Sequence, residues 1–309
     1  MNSVIQCLVG TDPLTRFILR GEWKKRLIQS GGPHTEIAAE FAQLVEILWR
    51  GQFNSVSPAR FRTAVANCSE QFAGNNQEDA HEFASFLLDT LHESFNHVNP
   101  RPPPEREMTP EETVHFEGLS DGNQALVEWK KCKKRNWSTI TSIFQGQIQS
   151  RLTCMTCSHT STTYHTFTEL SVPIPTTANS SSSTSTGAAS GSSGHGFSLL
   201  RRNKQQAPTA SNLPVNIYQC LDAYSETEIL DGDNMWMCPK CKAKRKATKR
   251  LLISRLPDVL TVHLKRFSTV GHFREKLEVD VQVPTQKLFM ENYVVPGPHP
   301  STFYNLYGV

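Results

Sequence analysis

Long hydrophobic runs are missing from this sequence: no apolar stretch approaches the roughly 20 residues that a membrane-spanning helix needs. Signal-peptide character is lacking too: the segment after Met1 carries Asn2 and Gln6 and no basic cluster ahead of an apolar run, so it is not expected to act as a secretory leader. Cysteine is scarce for a disulfide scaffold, at eight in 309 residues. A reducing compartment, the cytoplasm, is therefore expected, with any membrane association running through partners or regions outside the sequence. Charge of one sign is also lacking. The formal net charge is +3, which falls to about +1 if four thiolates bind one zinc ion, so the whole-chain field selects no partner. What is there suits a soluble globular protein: 38% hydrophobic and 20% charged residues, in a length that fits one large domain or two ordinary ones.

The first 140 or so residues read as helical. Ile37, Phe41, Leu44 and Leu48 recur at helical spacing, and Gly51 ends that helix. Ser57 followed by Pro58 predicts the N-cap and first position of a short helix through Val65. A third helix starts at Asp79 and puts Phe83, Phe86, Leu87 and Leu91 on one face. The segment 105–121 reads as a charged loop. From Phe144 the texture turns to β: 147–153 alternates, and 162–175 is rich in β-branched and aromatic residues. Residues 176–196 are almost all Ser, Thr, Gly, Ala or Asn and have nothing large to bury, which predicts a disordered insertion extending to about residue 211. Further strands are expected over 250–253, 259–267, 277–283 and 303–309.

Two C-x-x-C pairs, Cys154/Cys157 and Cys238/Cys241, carry the strongest chemical signal. Two thiolate pairs on tight turns can supply four tetrahedral ligands to a structural zinc ion. Two separate buried pairs or a redox dithiol is the blander reading. Discounting the insertion brings the spacing between the pairs to an ordinary length. Basic residues from Lys240 to Arg250 follow the second pair and either offset the charge of a zinc tetrathiolate or form a solvated turn. A nucleic-acid stripe is disfavoured, since only Trp236 lies among them. Cys7, Cys68, Cys132 and Cys220 are expected as buried structural thiols.

Several blocks in order resemble the ubiquitin-specific protease family. Met1-Asn-Ser-Val-Ile-Gln-Cys-Leu8 is similar to the second half of that family's cysteine box, G-N-T-C-[FY]-M-N-S-x-[IL]-Q-C-L. Gln77-Glu-Asp-Ala-His-Glu-Phe83 resembles its Q-Q-D-A-x-E-F block. Phe144-Gln-Gly-Gln147, the Cys154/Cys157 turn and Leu170-Ser-Val-Pro-Ile174 resemble the entry to its zinc-bearing fingers. Leu256-Pro-Asp-Val-Leu-Thr-Val-His-Leu-Lys-Arg-Phe267 and Tyr304-Asn-Leu-Tyr-Gly-Val309 resemble its L-P-x-x-L-x-V-H-L-K-R-F strand and the strand before its histidine box.

The resemblance implies a papain-like α+β thumb, palm and fingers fold with zinc-ribbon fingers and an incomplete palm. Residues 1–140 would be the thumb, 144–255 the fingers and 256–309 a partial palm. The implied activity is thiol hydrolysis of the isopeptide bond after the C-terminal glycine of ubiquitin, with ubiquitin and ubiquitinated proteins as partners and no nucleic acid. In the family pattern the nucleophile precedes the position of Met1 and the histidine follows that of Val309, so no catalytic residue is expected within 1–309. Cys7 matches the box's second cysteine, on a helix reading as buried, and His263 reads as a structural residue of a strand. Asp79 and Glu82 fit a capping box, and the resemblance assigns them, with Gln77, to contact with ubiquitin. The competing reading is a catalytically silent zinc-ribbon module that binds ubiquitin or another protein.

Overall fold

The computed structural model describes residues 1–28, 32–98, 100–103, 105–106, 108–175, 214–270, 273–297 and 302–309. The insertion expected over 176–211 lies outside them. Nine α-helices are described before the first strand: α1 Asn2–Val9, α2 Asp12–Leu19, α3 Glu22–Arg26, α4 Pro33–Arg50, α5 Ala59–Cys68, α6 Ala80–Ser94, α7 Pro110–Glu117, α8 Asp121–Arg135 and α9 Thr139–Phe144. The remaining elements are β1 Gly146–Cys154, β2 Thr160–Phe167, β3 Glu169–Pro173, β4 Val215–Asn216, α10 Ile217–Ser225, β5 Glu228–Leu230, β6 Trp236–Cys238, β7 Ala243–Arg245 and β8 Ala247–Arg255. They are followed by β9 Thr261–Lys265, β10 Phe267–Val270, β11 Phe273–Lys276, β12 Val281–Gln282, β13 Leu288–Phe289 and β14 Phe303–Tyr304. The chain divides into two compact units, one of residues 1–170, 225–263 and 284–309, the other of 171–224 and 264–283.

In the larger unit, α4 runs from Pro33 at its first turn to Gly51, whose φ of +62° supplies the left-handed cap. Its Ile37 and Phe41 are fully buried and meet Phe61 of α5, Phe83, Leu87 and Leu91 of α6 and Ile140 and Phe144 of α9 in one core. Beside this core lies a four-stranded sheet of order β2-β1-β8-β5, with β1 antiparallel to both β2 and β8. The Phe144-to-Gln147 block joins the two. Phe144 is core; the buried Gln147 side chain donates to Ala125 O of α8 (3.2 Å) and accepts from Ser254 of β8 (3.0 Å). Gly146 lies so close to the Phe167 ring and Arg255 O that a Cβ would stand 2.4 and 2.8 Å from them. In the smaller unit, β10 and β11 form a hairpin, β4 and β12 pair in parallel, and the Arg266 guanidinium donates to Val279 O (2.7 Å).

Several expectations need correction. Residues 105–121 hold α7 and the start of α8. The helix α7 buries no residue and so has no apolar stripe, but it opens on a complete Thr109/Glu112 capping box with Pro110 at its first position. The helix after Pro58 takes Pro58 itself as N-cap, without a side-chain bond, and continues to Cys68. Only Val281–Gln282 of the 277–283 stretch and only Phe303–Tyr304 of the 303–309 stretch are strand. Beyond Tyr304, the Asn305 side chain accepts the Lys287 N–H (3.0 Å), the kind of bond a ladder carbonyl would make, and the pairing stops.

Candidate metal centre and flanking surfaces

The strands β1 and β6 each end on the first cysteine of a pair, and the chain turns back so that the second cysteine faces it. The two turns share one geometry. Ser158 N–H donates to Cys154 O (2.9 Å) and Lys242 N–H to Cys238 O (2.8 Å). The residue after each second cysteine is left-handed, Ser158 at φ +56° and Lys242 at φ +51°. Met155 N–H donates to Lys246 O (2.9 Å), tying one knuckle to the other, and Cys154 lies opposite Ala247 in the β1–β8 register. His159 and Trp236 lie parallel alongside, with ring centroids 6.2 Å apart.

The four ligand atoms of Cys154, Cys157, Cys238 and Cys241 lie within 4.8 Å of one another. Cys154 Sγ is 4.0 Å from Cys241 Sγ, and Cys157 Sγ is 3.7 Å from Cys238 Sγ. These separations far exceed the ~2.05 Å of a disulfide. They bracket the ~3.8 Å between sulfurs that share a tetrahedral zinc ion at about 2.3 Å. Backbone N–H groups of Cys157 and Thr156 hold the Cys154 thiol down to about 6. The Cys157 sulfur, foremost, raises Cys241 to about 12. A divalent cation removes that conflict by taking all four as thiolates, so the donor set fits a metal.

A second group gathers at the start of α6. Asp79 caps the helix, its carboxylate accepting His81 N–H (2.7 Å). Glu82 does not reach back as a capping box requires; its carboxylate accepts from the Gln71 side chain instead, which corrects that expectation. Gln77, Asp79 and Glu82 are all exposed on this one turn. Beneath them His81 Nε2 lies 2.5 Å from the Glu169 carboxylate, which also accepts from Ser85 Oγ (3.0 Å). His263 stacks on the His81 ring at 3.7 Å, with 14° between the planes. Burial raises the Glu169 carboxyl above its ordinary value, and its second oxygen has no partner among the described residues. Neither His81 nor Glu169 stood out in the sequence. The usable signal was an acidic residue, Glu169, at the head of a β-branched, aromatic run.

The third group joins the first helix to the last residues. Thr11 Oγ1 lies 2.7 Å from Tyr307 OH and donates to Cys7 O (3.0 Å). Cys7 Sγ faces Val309 O at 3.9 Å. Cys7 is half-buried, not enclosed as expected, because it points at this last segment and leaves the core to Ile5 and Leu8. Cys68 and Cys132 are also half-buried, while Cys220 is buried as expected.

The sequence pattern of ubiquitin carboxyl-terminal hydrolases matches residues 1–309. The chain is 32% identical over 310 residues to ubiquitin carboxyl-terminal hydrolase 2 of Rattus norvegicus, covering all of this chain and 44% of that protein. It is 35% identical over 277 residues to ubiquitin carboxyl-terminal hydrolase 4 of Saccharomyces cerevisiae, covering 87% of this chain and 26% of the relative. The chain thus spans less than half the length of these relatives. Among solved structures, the SAGA Ubp8/Sgf11/Sus1/Sgf73 DUB module bound to ubiquitin aldehyde superposes at a TM-score of 0.62, with 22% identity. That match covers 96% of this chain and 51% of the other. The fold is accordingly the papain-like α+β class with zinc-ribbon elements. The chain belongs to the ubiquitin carboxyl-terminal hydrolase family.

Proposed function

We propose that this chain is part of a deubiquitinating thiol protease that cleaves the isopeptide bond after the C-terminal glycine of ubiquitin. The observation that carries the reading is the bond between Thr11 and Tyr307, 296 positions apart. It brings the block resembling the cysteine box against the one resembling the strand before the histidine box. A thiol protease needs those two elements adjacent, because the nucleophile and its histidine must share a proton. A silent zinc module has no such requirement. Residues 1–309 include neither the nucleophile nor the histidine position of the family pattern, so by themselves they turn over no conjugate.

Cys154, Cys157, Cys238 and Cys241 hold zinc in this reading. The ion cross-links the two knuckles and supplies folding energy, not chemistry. Gln77, Asp79 and Glu82 face ubiquitin: the Asp79 carboxylate keeps lone pairs free for an arginine after capping its helix. Residues 1–140, 144–255 and 256–309 serve as thumb, fingers and partial palm, and the protein works in the cytoplasm, where eight thiols stay reduced.

The test combines a binding and a turnover assay. Zinc-loaded 1–309 should bind ubiquitin in a calorimeter, and Asp79→Lys with Glu82→Lys should weaken that binding about tenfold or more. A fluorogenic ubiquitin substrate should stay intact with this chain. Turnover that Cys7→Ser abolishes would show the motif registration to be wrong, and no binding of ubiquitin would overturn the reading.

A further inference from the structure

The knuckle end of the sheet presents a surface that the proposed function does not use. Seven basic residues and no acidic one lie between Trp236 and Arg250. Lys246 reaches Asp231 (3.5 Å) and Lys249 reaches Glu228 (3.8 Å). Lys240, Lys242, Lys244, Arg245 and Arg250 are exposed and, among the described residues, have no carboxylate within ion-pair reach. Five free cations exceed what a zinc tetrathiolate of charge about −2 calls for, leaving an excess of about three.

Apolar side chains stand among these cations. Met155, Met237 and Ile229 are 56%, 58% and 58% exposed. Met237 lies opposite Lys244 in the β6–β7 hairpin, and Met155 is bonded through its backbone to Lys246. Ile229 lies opposite Thr248 in the sheet, on the face that also carries Arg250 two residues along β8. Exposed thioethers beside ammonium groups suit a partner that offers carboxylates and apolar side chains together.

We infer that the two knuckles form a docking surface for an acidic protein segment with interleaved apolar residues. Charge decides the sign: Asp79 and Glu82, proposed for ubiquitin, are acidic, so a basic face calls for a different partner surface. Side-chain chemistry decides against nucleic acid. The local aromatic, Trp236, is already paired with His159, so no open stacking platform is left. Four of the seven bases are also lysines lying within Lys240–Lys246, not the arginines that grip phosphate bidentately. The knuckles are pinned by backbone bonds and by their cysteines, so little ordering entropy opposes docking.

The experiment is fluorescence anisotropy of zinc-loaded 1–309 with three labelled probes of equal charge: an alternating Glu/Leu peptide, an alternating Glu/Ser peptide and a single-stranded oligonucleotide. The Glu/Leu peptide should bind most tightly. Lys244→Glu with Arg245→Glu and Arg250→Glu should weaken it about tenfold or more. Met155→Ser with Met237→Ser should remove its advantage over the Glu/Ser peptide. Zinc content, measured alongside, shows that each variant is folded. Tightest binding by the oligonucleotide, equal binding of both peptides, or insensitivity to the charge reversals at full zinc occupancy would each overturn the proposal.

Discussion

Replacing Gly146 by alanine tests whether the junction between the helical core and the sheet is as tight as it looks. The added Cβ would stand 2.4 and 2.5 Å from two Phe167 ring carbons and 2.8 Å from Arg255 O. The ring can swing, but the carbonyl belongs to β8, just past the register shift at Gln147/Ile148. Overpacking of this kind costs about 1–3 kcal/mol. Alanine recovers about 0.4–1 kcal/mol by restricting the unfolded chain, so a net loss of about 1.3 kcal/mol is expected. In urea, with a slope near 3 kcal/mol/M, the midpoint should fall by roughly 0.4 M, followed by tryptophan fluorescence. Adding Phe167→Ala should restore only part of the loss, because it leaves the Arg255 contact in place. A loss under about 0.5 kcal/mol, or full rescue by Phe167→Ala, would refute the reasoning.

Metal analysis of protein purified under reducing conditions should give about one zinc per chain, and Ser at any of Cys154, Cys157, Cys238 or Cys241 should abolish it and lower the melting temperature by many degrees. Lys242→Gly and Ser158→Gly relieve left-handed strain of about 1–2 kcal/mol each but add about 0.4–1 kcal/mol of unfolded-chain entropy, so each variant should withstand chelator-driven unfolding at least as well as the parent, with a gain under about 1.5 kcal/mol. For Glu169, burial lifts the folded-state value above the unfolded one, so the group's stabilising share is full below the unfolded value and is lost as pH rises through the folded one. Denaturation of Glu169→Gln and parent across pH should therefore show the variant gaining on the parent as pH rises from about 4.5 to neutrality; a constant or shrinking difference would refute this.

How much could be read beforehand depended on whether an element announced itself locally. The spacing of Ile37, Phe41 and Leu44 and the stop at Gly51 declare α4, because that helix buries one face in the core. By contrast α7 buries nothing, so periodicity is silent and only Thr109-Pro110-Glu111-Glu112 marks it. The four-cysteine cluster was legible as two matched pairs. The left-handed Ser158 and Lys242 were not, since glycine, the usual sign of such a turn, is absent from both positions. The His81, Glu169 and His263 cluster was hidden for a different reason. Its members come from remote segments, and each alone resembles an ordinary helix or strand residue.

The partners of β1 differ in one respect that bears on the order of folding. On one side β2 follows after a tight turn; on the other, β8 arrives from far along the chain, and with it Cys241, 87 positions from Cys154. The β1–β2 hairpin can form within microseconds, whereas β8 must first close a long loop. Closing it costs only about 0.6 kcal/mol more for each doubling of its length, so lengthening the connection barely moves the equilibrium. A metal ion gripped by all four thiolates would be held tightly only after that closure, so the kinetics of its uptake would time this long-range step of assembly.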